Sequence, residues 1–382
     1  MAEPDTLTRH QFRHQAEFAA KVFGRLAEYD FQRGLTDTPV DLSIERLRSN
    51  EDILTELHST LLPLLRKQII DLFDAMWMPN RVPKTHYVSS LNLKLVIEIQ
   101  PKLELNLDRI NRIIDDIIPG RIHESSQICD QHFKQFKCYR LRGLDRTIRE
   151  EMNDELATFF LHSRWFVETV PPPVERQVYQ GSAFVHSLKT IDAAITWSKG
   201  SELHIIYDYW HEKLQAIDTS LDDLFVLADP ENERQIQPII QLSQSFVPLI
   251  KLSKIFFKKI ASEGMDKNNA PLFTEMSSHQ LTLFENTVGE IEESVFSIVC
   301  SLEDSDEYSP NFTVHLNDKV KALISQFQSC LLLVDLYIVP LFTEINVCSS
   351  QSYFKTWIVT WNTLLSQATH KAFHACKLYR TD

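Results

Sequence analysis

The chain has 382 residues, more than the roughly 250–300 at which single cores stop growing, so two domains are expected. Its hydrophobic share of 43% and charged share of 24% are globular values that leave little room for extended disorder. A net charge of −13 repels phosphate backbones, and the nearest basic cluster, Lys251, Lys254, Lys258 and Lys259, sits on an apolar helical pattern, so nucleic acid is set aside as a partner. Eight glycines against a usual share of about 7% remove the residue that hairpins, phosphate loops and nucleophile elbows use for positive φ. An all-α protein of about ten helices in two up-and-down bundles is expected.

Phe12, Ala16, Ala19, Phe23 and Leu26 recur at three- and four-residue intervals and mark a first helix, ended by Gly34 and Pro39. A second starts near Asn50 and carries Leu54, Leu57, Leu61, Leu65, Ile69 and Phe73, with Pro63 expected to kink or split it. A third runs through Leu103, Leu107, Ile110, Ile114 and Ile117 to Pro119-Gly120, and Leu91 to Ile99 belong to it across a bend at Pro101. The fourth places Leu144, Ile148, Met152, Leu156 and Phe159 on one stripe that reaches Trp165.

Three consecutive prolines, Pro171 to Pro173, cannot lie inside a helix, and their extended geometry makes a semi-rigid spacer. The domain boundary is placed there, giving bundles at 1–170 and 171–382; a plain inter-helix loop is the alternative, since it would look identical in sequence. Beyond it Ser182 is positioned to cap a helix bearing Val185, Leu188, Ile191 and Ile195 that ends near Gly200. Ile206, Trp210, Leu214, Ile217, Leu221 and Leu224 form the next seam. A helix over about 233–262, interrupted by Pro238 and Pro248, is apolar nearly all round and belongs in the centre of its bundle. Ser277 or Ser278 caps a heptad of Phe284, Val288, Ile291, Val295, Ile298 and Leu302, the spacing of coiled-coil-like bundles. Val320, Leu323, Phe327, Leu331, Val334 and Ile338 make the penultimate helix; Phe354, Trp357, Trp361, Leu365 and Ala368 make the last.

The opening Met1-Ala-Glu-Pro-Asp5 carries acid where a signal peptide needs base, and six sparse cysteines suit a reducing compartment, so an intracellular protein is expected, cytoplasmic or, as the alternative, nuclear. The greasiest stretch, Cys330 to Pro340, carries Asp335 and falls short of the ~20 residues of a span, so it reads as buried helix and no membrane span is expected. Asn311-Phe-Thr313 matches a glycosylation acceptor that such a location leaves unused.

Few groups suggest chemistry. Asp115 and Asp116 resemble part of the aspartate-rich magnesium motif of helical terpene cyclases, without its third carboxylate, and Asp222-Asp223 is a second pair with no downstream triad. His123, Cys129, His132 and Cys138 are residue types that zinc accepts, at a spacing unlike the paired ligands of common knuckles. His370 and His374, with Cys376 nearby, share a helix face, as do His10 and His14, without the glutamate of a catalytic zinc helix. No metal and no cofactor is therefore expected.

The stretches Leu249-Ile-Lys-Leu-Ser-Lys-Ile-Phe-Phe-Lys-Lys259, Thr274-Glu-Met-Ser-Ser-His-Gln280 and Tyr353-Phe-Lys-Thr-Trp-Ile-Val-Thr-Trp-Asn362, with Leu61-Leu-Pro-Leu-Leu65 and Leu95-Val-Ile-Glu-Ile-Gln100, resemble a family of uncharacterised helical proteins of rust-type basidiomycete fungi. That resemblance implies helix and brings no activity. More remotely, the helices from about Gln235 to Leu302 resemble the cyclin-D-binding protein family, whose two bundles are related in style to those of talin and vinculin.

Two functions are weighed. The favoured one is a non-catalytic protein that binds another protein, through a helix, with Phe354, Trp357 and Trp361 of the last helix as the docking residues. The alternative is a metal-dependent helical enzyme, terpene-cyclase-like, that uses Asp115 and Asp116.

Overall fold

The computed structural model describes residues 4–31, 44–77, 91–120, 128–169, 174–232, 236–265, 270–304, 312–341 and 350–379. Among these residues there is no strand, and the helical segments run together into ten helices. Contacts divide the chain into two compact units, Met1–Gly200 and Ser201–Asp382.

The first unit holds α1 (Pro4–Ala27), α2 (44–77), α3 (Leu93–Ile117), α4 (138–168) and α5 (Val174–Lys199). α1 packs on α3 and α4, α5 on α4 and α2, and α2 on α3, which closes a ring of five helices around one aliphatic core. The seam of α3 explains its place: Val96, Leu103, Leu107, Ile110 and Ile114 all point inward and are fully buried. Buried amides tie the ring at fixed heights, because Gln100 Nε2 donates to Ala19 O at 2.9 Å and Asn106 Nδ2 to Leu61 O at 3.1 Å.

Pro63 does not split its helix. The turn before it, Leu57–Leu61, widens to π geometry, in which Leu62 N–H reaches back to Leu57 O, so the ring that would collide with the preceding turn is accommodated and the helix continues. The same device precedes Pro340: Val334–Ile338 is a π turn, with Val339 N–H bonded to Val334 O. Pro101 likewise lies within α3, which remains one helix.

The boundary expected at the prolines differs from the division seen. Residues 170–173 lie outside the described residues, and α5 belongs to the first unit, so the division falls after Gly200. Contact over distance is the reason. A Cβ placed on Gly143 of α4 would stand 2.3 Å from the Trp197 ring, so the indole lies flat on a backbone that only glycine leaves bare. Tyr139 packs against the same indole at 5.2 Å, Phe184 stacks on Phe73 of α2 at 3.9 Å, and Arg140 Nη1 donates to Gly200 O at 2.7 Å. Ser182, expected as a cap, is internal to α5, which starts eight residues earlier.

The second unit holds α6 (Glu202–Leu227), α7 (Gln237–Gly264), α8 (Ser278–Glu303), α9 (312–341) and α10 (Ser350–Tyr379). Its ring runs α6, α7, α10, α9, α8 and back to α6, with α7 also touching α8. α7 begins with Pro238 in its first turn and carries Pro248 inside. Ser277 caps α8 in a capping box with Gln280, and the heptad from Phe284 to Leu302 is fully buried. Glu202, buried at the start of α6, accepts from Thr274 N and Oγ1, both at 2.8 Å, which straps the 270–277 connection over that helix end.

Candidate functional site

α10 lies along α7 in the opposite direction, since Trp361 Nε1 donates to Leu252 O at 2.9 Å while Lys259 Nζ stands 4.9 Å above the Tyr353 ring. Its aromatics divide between two environments. Trp361 is 1% exposed and packs on Phe256 and Phe327 at 4.4 and 5.0 Å; Phe354 is fully buried. Trp357 is half-buried, stacks on Phe256 at 6.3 Å, and has Lys259 Nζ 5.9 Å from its ring. Of the three expected docking residues, the structure therefore puts Phe354 and Trp361 in the core and only Trp357 at the surface.

The register of the helix produces this division. Phe354, Trp361, Leu365, Ala368, Ala372 and Cys376 recur at heptad-like intervals and form the inward seam, whereas Tyr353, Trp357 and Leu364 lie on the adjoining flank. Tyr353 and Leu364 are exposed, features that sequence reasoning passed over because neither continues the apolar seam. Beside them on α7 lie Ile255, also exposed, and Lys259. Burial works against the Lys259 charge, yet Glu263 and the Tyr353 hydroxyl raise its pKa, so the ammonium between the two rings stays charged.

The other candidates do not assemble. Asp115 is held by Arg149, whose Nη2 lies 2.7 Å from its carboxylate, and Asp116 is exposed. Arg149, with 8% of its side chain exposed, also donates to Asp145 at 2.9 Å, to Phe31 O at 2.6 Å and to Asn111 at 3.4 Å, so Asp115 belongs to a structural hub. That hub sits on the π turn Thr147–Met152 and pins the segment after α1, where Asn153 accepts from Phe31 N and Tyr29 donates to Asp108 at 3.1 Å. Asp222 and Asp223 are exposed. Among the described residues no three His, Cys, Asp or Glu side chains converge as metal ligands. His123 lies outside the described residues, while Cys129 and His132 are exposed and Cys138 is buried. His10, His14, His370 and His374 are exposed too.

Burial pushes the Cys138 thiol up to about 12, with Asp130 adding to the shift, and raises Cys376 to about 12; Cys330 moves further in the same direction. These are packing thiols rather than nucleophiles. Grooves between helices are shallow: one of about 220 Å³ between α6 and α7 is lined by Tyr207, His211, Asp218 and Lys258, where His211 faces Gln215 and Asp218 is paired with Lys254 and Lys258. Lys134, at φ 51°, is the left-handed non-glycine residue among the described ones, on an exposed turn.

α9 is long and apolar enough to cross a membrane by length and composition, with a mean hydropathy of 1.7 over its most apolar window; 39% of that window is buried. Its inward face, including Leu316, Val320, Leu323 and Phe327, packs in the second unit.

Comparison with known families follows the division of the chain. Residues 50–199 match the domain of unknown function DUF8723, and residues 201–374 match the domain of unknown function DUF8721. No curated protein matches. The chain is similar to these two domain families, one on each side of Gly200.

Proposed function

We propose that the protein is a non-catalytic helical scaffold whose second unit captures another protein on the outer flank of α10. The observation that carries this reading is the division of α10 itself. Its inner aromatics anchor the helix, while Tyr353, Trp357 and Leu364 stay at the surface, where large apolar side chains in a row mark interaction sites. Tyr and Trp supply contact area at little entropic cost. A metal-dependent reaction at Asp115 and Asp116 has weaker support, because Arg149 already occupies the Asp115 carboxylate. An intracellular setting agrees with five described cysteines that form no disulfide with one another. The acidic balance of the chain argues against nucleic acid as the partner.

The test is affinity capture from the native cell with the wild-type chain and with Trp357→Ala and Leu364→Ser. The surface variants are expected to lose the main captured protein while keeping their helical circular dichroism. Retention of the same protein set by both variants would remove α10 as the docking surface.

A further inference from the structure

The second unit is electrically two-sided. α8 carries five glutamates and no Lys or Arg, and α6, which packs against it, carries six acids against Lys213. α7 and α10, which pack on each other, reverse the balance: Lys251, Lys254, Lys258 and Lys259 face one acid, Glu263, on α7, and α10 has Lys355, Lys371 and Lys377 with no acid at all. In a chain of net charge −13, the apolar flank of α10 thus lies in the basic half of its unit.

That flank is a line. Tyr353, Trp357 and Leu364 fall within about 40° of arc and span about 16 Å, or three helical turns. Tyr353 is 56% exposed, Leu364 46%, and Ile255 of the antiparallel α7 48%. Lysines border the line: Lys259 sits above Tyr353 and Lys371 continues the flank of α10, while on the far side of α7 Lys251 lies over the Phe225 ring of α6 and Lys258 pairs with Asp218 of α6. The acids near it are already engaged, Glu263 with Lys259 and Asp218 with Lys254 and Lys258.

We propose that this ledge binds an acidic amphipathic helix of another protein, with apolar side chains at three- and four-residue spacing on Tyr353, Trp357, Leu364 and Ile255 and carboxylates toward Lys259 and Lys371. The proposal rests on the interaction reading above and gives its partner a chemistry. A line three turns long between two helices matches a helix better than a flat lipid surface.

The test uses the full chain and a labelled five-turn peptide (about 18 residues) with Leu at the third and fourth positions of each turn and Glu elsewhere. A twin carries Lys in place of Glu, and vesicles of phosphatidylcholine with phosphatidylserine form a third arm. Anisotropy is expected to show saturable binding of the Glu peptide with Kd below about 100 µM, at least tenfold weaker binding of the twin, and a tenfold loss for Ile255→Ser combined with Leu364→Ser. Both substituted positions are exposed, and circular dichroism checks that the fold is kept. Equal binding of the twin, absence of Glu-peptide binding, or unchanged binding by the double variant would overturn the proposal. Vesicle binding that the double variant abolishes would also overturn it, in favour of a membrane. The cellular capture can still succeed with a partner of another chemistry, so the two readings fail separately.

Discussion

Both units close five helices into a ring, yet they are locked by different means. In the first, the interior carries charge: Asp130, Lys137, Arg140 and Asp145 are buried, and Arg149 joins α4 to α3 and to the segment after α1. In the second, Glu202 is the charged residue among the described buried ones, and the interior is built from rings, with Trp210, Phe256, Phe257, Phe284, Phe327 and Trp361 in mutual contact at 4.4 to 5.8 Å. Hydrogen bonds to buried charges specify register by direction; interlocking rings specify it by shape. The first unit should therefore be sensitive to loss of a single donor, and the second to loss of volume.

The largest effect is expected in the ring-built unit. Trp361→Ala removes a fully buried indole and its bond to Leu252 O, and should destabilise the second unit by about 3–5 kcal/mol. Hydrogen exchange followed by mass spectrometry localises the change: faster exchange confined to 201–382 is expected, and an unchanged α7 would break the contrast. Arg149→Met keeps volume and removes the donor. Asp145 and Phe31 O lose a partner, a loss of about 2–3 kcal/mol, with faster exchange in α3, α4 and the end of α1. Next comes Gly143→Ala, where the added methyl meets the Trp197 ring and overpacking should cost about 1–3 kcal/mol. Its signature is loosening of α5 against α4, measured by exchange of 174–199. If that variant is neutral, the indole has room to move, and the attachment of α5 to the first unit rests on its other contacts, among them Arg140 on Gly200 O, Phe184 on Phe73, Ser187 on Glu155 O and the buried Ile191 and Ala194.

The same contrast explains what the sequence could disclose. Helices α3 and α8 were legible because their seams repeat apolar residues at fixed intervals, and periodicity is a local property. The end of the first unit was not. Three adjacent prolines are the strongest local punctuation in the chain, whereas the contact that holds α5 in place pairs Gly143 with Trp197, 54 positions apart, and no local pattern marks that pair. Asp115 looked like half of a metal motif because its partner, Arg149, comes 34 residues later. The stripe on α10 was legible as aromatic, but spacing alone cannot say which flank meets α7, so Phe354 and Trp361 were grouped with Trp357. Pro63 announced a break that a π turn absorbed, a rearrangement of backbone that side-chain pattern does not encode.

The smallest expected effect is a pH slope confined to the charged unit. His58 lies on the π turn of α2, and burial lowers its pKa below 6.5, with Lys199 and Arg140 acting in the same direction against a hydrogen bond to the Leu54 backbone. The sign follows from linkage. Above pH 6.5 the ring is neutral in both states and stability does not depend on it. Below 6.5 the unfolded chain takes a proton that the folded chain refuses, so stability falls as pH drops from 6.5 toward the folded pKa, by at most about 1.4 kcal/mol per pH unit. Other groups titrate in that range, so the informative quantity is the difference between wild type and His58→Gln, which has no such proton. Denaturant melts at pH 7.5 and 5.5 should show a smaller acid loss for the variant, read from exchange in α2. The second unit should respond identically in both proteins. Equal slopes in α2 would mean that the folded pocket accepts the proton and that the neighbouring cations are too well screened to matter.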